Sequence, residues 1–186
     1  MLRQELAPLE GQRILVLDTN CYMDEVVQRS AREHGSHGIL QRKFMRIEKL
    51  LMTTVVVPRE VIKELDRLKV PHRNADERQL NKSYRAREGV KIIASLRKRH
   101  GCVRGQKDKE LYTDMACHQY PAGLRGDDAI LNCCLFFLSQ GADVSLCTQD
   151  HILQERAEAN RISSFGMRAL DDTIDQWRRP KQHSRF

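Results

Sequence analysis

Ile14-Leu15-Val16-Leu17-Asp18 is the stretch on which the fold turns. Four large aliphatic residues in a row leave no face for water, so the run reads as a short strand buried on both sides, as in a parallel sheet covered by helices. Val55-Val56-Val57 and Val144-Ser145-Leu146-Cys147 read the same way. Between these runs the apolar period changes to that of a helix. Residues 39–52 carry Leu40, Phe44, Ile47, Leu50 and Leu51, and residues 85–100 carry Val90, Ile93, Ala94 and Leu96. Pro58 is expected at the first helical position of a helix whose inner face is Val61, Leu65 and Leu68. Asp127 and Asp128 precede the clearest helix, with Ala129, Ile130, Leu131, Cys134, Leu135 and Leu138, which Gly141 should end. A helix over 152–160 and an edge strand over 162–165 follow. Strands alternating with helices require right-handed crossovers and predict an α/β fold, a three-layer α/β/α sandwich around a central, mainly parallel sheet. Residues 101–126 show no period and read as a polar connecting segment, a length that in a compact domain is usually functional.

Four acids stand where an apolar run ends or a helix begins: Asp18, Glu64, Asp128 and Asp150. Hard divalent cations need several oxygen ligands from separate segments, so carboxylates placed this way point to a pocket for Mg²⁺ or Mn²⁺. The carboxyl ends of parallel strands line one crevice, where Asp18 and Asp150 are expected to meet. Taken singly, each has a plainer role. Asp18, Asp128 and Asp150 suit helix N-caps, and Glu64 suits a surface pair with Arg67 or Lys69.

The 186 residues, 40% hydrophobic and 31% charged, suffice for one domain with a real core. The formal charge of +7 is concentrated, since residues 59–109 hold sixteen basic against seven acidic side chains. A basic stretch beside an acidic pocket suits a polyanion whose cleavage uses a metal, although charged helices are more often plain solvated surface. The six cysteines form no Cys-x-x-Cys pair and follow no signal-peptide core, so a reducing compartment and buried thiols at Cys133, Cys134 and Cys147 are expected. No run approaches the roughly 20 apolar residues of a membrane span.

Val16-Leu17-Asp18-Thr19-Asn20, Val57-Pro58-Arg59-Glu60-Val61-Ile62-Lys63-Glu64-Leu65-Asp66, Asp127-Asp128-Ala129-Ile130-Leu131 and Cys147-Thr148-Gln149-Asp150 together resemble the motif blocks of the PIN-domain ribonucleases, in the family's order. The extended helix block and Cys133-Cys134-Leu135 look most like the eukaryotic PIN endonucleases of mRNA surveillance and nuclear transcript quality control. The resemblance implies that Asp18, Glu64, Asp128 and Asp150 are the catalytic metal ligands, with Asp127 as a neighbouring ligand or a helix cap. Thr19, Asn20 and Thr148 would support the acids by hydrogen bonding. It implies endonucleolytic hydrolysis of single-stranded RNA, leaving a 3′ hydroxyl and a 5′ phosphate, with Mg²⁺ or Mn²⁺ as cofactor and no histidine base. The implied organisation is an N-terminal extension over 1–12, a PIN-like nuclease domain over 13–176 and a basic, disordered tail over 177–186. Residues 70–126 match no motif block. Arg73, Arg78, Lys82, Arg85 and Arg87 are the basic residues expected to meet RNA phosphates, and Tyr84, Tyr112 and Tyr120 are read as packing residues. Nuclear residence is expected from the likeness and the basic tail, and protein partners or self-association from the habits of the family.

The competing reading is a PIN-like module that binds RNA or protein without cutting, whose usual sign, loss of acids, is missing here. A flap-type 5′ nuclease on DNA would bring more acids and a DNA-binding helical element.

Overall fold

The computed structural model describes residues 9–30, 38–50, 52–71, 73–112 and 124–179. Within them the chain runs β1 (Arg13–Leu17), α1 (Thr19–Ser30), α2 (Ile39–Ile47), β2 (Thr53–Val57), α3 (Arg59–Leu68), α4 (Glu77–Arg99), β3 (Val103–Gly105), α5 (Gly126–Ser139), β4 (Asp143–Cys147), α6 (His151–Ala159), β5 (Ser163–Phe165) and α7 (Leu170–Arg178). The five strands form one sheet in the order β3-β2-β1-β4-β5, and every neighbouring pair is parallel. Helices cover both faces, giving the three-layer α/β/α sandwich. The central strand β1 explains the unbroken apolar run: Ile14, Leu15, Val16 and Leu17 are at most 1% exposed because helices lie above and below them.

β1 connects outward to β2 and β3 on one side, and β4 and β5 lie on the other. The sheet therefore changes winding direction between β1 and β4, which opens a crevice outside their carboxyl ends. In the register Leu17 pairs with Cys147, so the next residues, Asp18 and Thr148, emerge side by side.

Several boundaries differ from the expectation. α1 follows Asp18 directly where no helix is expected, because Cys21, Tyr22, Met23, Glu25 and Val26 are all buried and their near-continuous burial erases the helical period. α2 stops at Ile47 rather than near residue 52. Pro58 has φ −58° and ψ 145°, so it is the N-cap of α3 and not its first helical residue. α4 begins at Glu77, not 85, since residues 77–82 are exposed all round and show no apolar stripe. Its start is fixed by a capping box, in which the Asp76 carboxylate accepts the Gln79 N–H (2.7 Å) and the Gln79 side chain accepts the Asp76 N–H (3.3 Å).

The segment over 101–126 is not uniformly irregular. Val103–Gly105 adds a strand beside β2, too short to show alternation, and residues 113–123 lie outside the described residues. Gly141, with φ +81°, ends α5 as expected. α7 runs through Trp177, whose ring meets Phe165 edge-on and lies under the Arg13 guanidinium, so the boundary expected after 176 falls inside a packed helix. Residues 180–186 of the expected tail lie outside the described residues, as does Tyr120. No helix among the described residues is long and apolar enough to cross a membrane. Cys21, Cys133, Cys134 and Cys147 are buried free thiols.

Candidate active site

Asp18 leaves the tip of β1 with its backbone N–H donating to Cys147 O (3.0 Å), and is only 4% exposed. One carboxylate oxygen accepts the Thr19 N–H. The other accepts the Thr148 hydroxyl at 2.9 Å and the Asn20 amide at 3.4 Å. Thr19 turns its own hydroxyl to Glu64 Oε2 (2.6 Å), and Thr148 Oγ1 accepts the Asp150 N–H (3.1 Å). Glu64, Thr19, Asp18, Thr148 and Asp150 thus form one hydrogen-bonded chain across three separate stretches of sequence. Beneath it the floor is dry: Cys21 Sγ donates to Cys147 O (3.2 Å) and lies 3.8 Å from Cys147 Sγ.

Burial pushes the Asp18 carboxyl up to about 6, and the nearby charges of Glu64 and Asp127 push it the same way against the hydrogen bonds from Thr148 and the Thr19 N–H. Asp127, in the first turn of α5, is also raised, first by burial and then by the negative charges of Asp150, Glu64 and Asp128, with Arg156 opposing. The fields of Asp18, Glu64, Asp127 and Asp150 therefore overlap in one crevice. α1 and α6 also start at this edge, so their N-terminal partial charges face the acids.

Asp128 stands apart from this group. Its Oδ1 accepts a hydrogen bond from Arg156 of α6, which neutralises it. The two aspartates are consecutive on a helix, about 100° apart, so they point in different directions, and Asp128 is the one paired with Arg156. Asp150 also performs the plainer role weighed for it, because its Oδ1 caps α6 by accepting the Ile152 and Leu153 N–H groups (2.8 and 3.1 Å). Of the basic residues expected at RNA, Arg73, Arg78, Lys82 and Arg87 are exposed. The Arg85 guanidinium is committed to Asp24 Oδ1 (2.8 Å) and Met23 O (3.3 Å). Tyr84 is exposed, and Tyr112 packs against the core.

Two supporting residues went unnoticed in the sequence. Gln154 donates its amide to Thr148 O (2.7 Å), fixing the loop that carries Thr148. Asn132, fully buried on α5, exchanges hydrogen bonds with both backbone groups of Tyr112 (3.1 and 2.8 Å) and ties down the chain after β3. A buried polar residue in a helix signals such a role, but nothing local names its partner.

Residues 15–168 match a family model described as the PIN domain. The chain belongs to the PIN domain family. No curated protein matches it. PIN domains are generally nucleases that cleave RNA with divalent metal. The crevice offers a PIN domain the right donors, hard carboxylate oxygens; the charge of Arg156, which pairs with Asp128, reaches Asp127, while among the described residues none of Asp18, Glu64, Asp127 and Asp150 is held in an ion pair. Among the described residues, however, no three acidic, cysteine or histidine side chains converge closely enough to grip a cation. Asp18, Glu64 and Asp150 are each turned toward hydroxyl or N–H donors beside them.

Proposed function

We propose that this PIN domain is an endoribonuclease that hydrolyses phosphodiester bonds of single-stranded RNA with Mg²⁺ or Mn²⁺ held by Asp18, Glu64, Asp127 and Asp150. The observation that carries the reading is the set of four acids that form no ion pair among the described residues, at the switch point of the sheet, in a chain of net charge +7. A divalent cation bound there supplies the missing positive charge, neutralises a phosphate and eases ionisation of a water. The chain's own residues prepare the site. Thr148 and Asn20 orient Asp18, Thr19 orients Glu64, and Gln154 holds the Thr148 loop. With its carboxyl near 6, Asp18 is ionised at neutral pH and ready to serve as a ligand. The Arg156–Asp128 pair supports Asp127, rather than Asp128, as the third ligand of the proposed site. The likeness of the motif blocks to eukaryotic enzymes of mRNA surveillance and nuclear transcript quality control supports a role in RNA processing or quality control in the nucleus.

One observation favours the alternative, an RNA- or protein-binding PIN module that does not cut: the acids are not drawn together. Incubating the protein with labelled single-stranded RNA and DNA of one sequence in Mn²⁺ separates the readings. Cleavage of RNA alone is expected, falling at least about a hundredfold in Asp18→Asn and Asp127→Asn, because each lost ligand forfeits several kcal/mol of charge stabilisation. Asp128→Asn should retain most of the activity. Binding without cleavage by the parent would install the alternative, and equal loss in Asp127→Asn and Asp128→Asn would remove the distinction between them.

A further inference from the structure

The carboxyl edge of the sheet carries a basic cavity on each side of the acidic crevice. One, of about 550 Å³, lies at the ends of β2 and β3 and is lined by Val57, Lys63, Arg97, Arg104, Gly105 and Lys107, among others, with no acid in its wall. Its neighbours Asp108 and Glu110 pair with Arg59 (2.5 Å) and Arg104 (2.9 Å), and Glu110 also accepts the Lys107 backbone N–H (2.7 Å). Lys63, Arg97 and Lys107 have no acidic partner among the described residues. Arg97 lies over Gly105, its Cζ 3.8 Å from where a Cβ would stand, so this guanidinium spans the strand end.

The other cavity, of about 670 Å³, lies beyond β4 and β5, between α1, α2 and the start of α7. Here Asp171 is saturated by Lys43 and Arg46, and Asp24 by Arg85 and Gln149 (2.8 and 2.7 Å). Arg42 and Arg168 remain exposed and without an ion pair from any described residue. Each cavity is lined by a chain neighbour of a site acid: Lys63 precedes Glu64, and Gln149 precedes Asp150.

We propose that a single-stranded RNA lies along this edge, with phosphates on one side held by Lys63, Arg97 and Lys107, phosphates on the other held by Arg42 and Arg168, and the scissile phosphate over the acids. The inference rests on the nuclease reading and adds the path of the strand. Five strands span about 19 Å, room for a few nucleotides. Basic, acidic and basic zones in line match a polyphosphate whose central phosphate meets a cation, whereas an acidic peptide would be repelled at the centre. Because a cation cluster lies on both flanks, the strand continues past the site in both directions and no free end is needed. The contacts are to phosphates, so they position the strand without reading its sequence.

The test uses fluorescence anisotropy of a labelled mixed-sequence single-stranded RNA with the full chain in chelator. The parent is compared with Lys63→Gln/Arg97→Gln, Arg42→Gln/Arg168→Gln and a comparison variant, Lys49→Gln/Lys98→Gln/Arg99→Gln, whose exposed cations precede β2 and β3 at the opposite, amino edge of the sheet. Each flank pair should weaken binding about tenfold and lower the slope of log affinity against log salt by ~1.4, the share of two phosphate contacts. Lys63→Arg/Arg97→Lys, which keeps the charge, should bind like the parent, and the comparison variant should change binding less than about twofold. In Mn²⁺ a covalently closed RNA circle should be cut as readily as its linear form. If the parent binds and cuts RNA while the flank pairs bind like the parent, or while the comparison variant carries the loss, the path is wrong and the nuclease reading stands. A circle left intact where linear RNA is cut also overturns the path. A parent that neither binds nor cuts RNA ends both.

Discussion

Asp18 concentrates the conflict between stability and function into one carboxyl. Its pKa rises from 3.8 to about 6 on folding, so between these values the folded chain binds more protons than the unfolded one. Stability contributed by the protonated form is therefore complete below about pH 4 and is lost as pH rises through 6, at a cost of up to about 3 kcal/mol. Melting of metal-free protein should show the Asp18 contribution as a difference: Asp18→Asn is expected to melt above the parent at pH 8 and to lose that advantage near pH 4. The Tyr22 hydroxyl is a second residue-scale liability, buried to 1% exposure without a hydrogen-bond partner among the described residues. An unpaired buried hydroxyl costs about 1 kcal/mol or more, so Tyr22→Phe should raise the denaturant midpoint at unchanged slope. At this scale the sequence told where acids occur but could not choose between Asp127 and Asp128. That choice depends on which way a helix is rolled and on Arg156, which lies 28 residues away.

Elements with a strong apolar stripe, such as α2 and α3, were legible because their burial repeats with the helix period. α1 and the first turns of α4 were not, for opposite reasons: one is buried nearly all round and the other exposed all round. The start of α4 rests instead on its capping box, so Asp76→Ala should cost about 1 kcal/mol and fray the exposed turns before Ser83. Hydrogen exchange at those amides would show it, and unchanged protection would mean that contacts with α1 and α3 hold the helix without its cap. β3 depends on a partner in the same way. Three residues cannot nucleate a strand, and they are held by β2 on one side and by the Asn132 bonds to Tyr112 downstream. Asn132→Leu leaves two backbone groups unpaired and is expected to destabilise the protein by about 2 kcal/mol, as read by denaturant unfolding.

At the scale of the whole molecule, folding places acids that repel along one crevice, and under the proposed function a divalent cation supplies the positive charge that settles them. A cation that binds the native state alone stabilises it by mass action, about 2.7 kcal/mol at a hundred times its dissociation constant. For a chain of this size that is a rise in melting temperature of about 5–10 °C with Mn²⁺ or Mg²⁺, and Asp18→Asn should abolish it. Equal melting of the parent with and without Mn²⁺ would count against the metal site.

The local pattern of residues determined the α/β class, the buried parallel strands, the acids at strand tips and helix starts, and the likeness to PIN domains. These follow from side-chain period and motif order, which are properties of neighbours along the chain. The tertiary structure decided the order of the strands, the sharing of Asp18 and Glu64 through Thr19, the diversion of Asp128 to Arg156, and the two cation-lined flanks. Each of these joins residues tens of positions apart, and an isolated segment carries no energy term that distinguishes one distant partner from another.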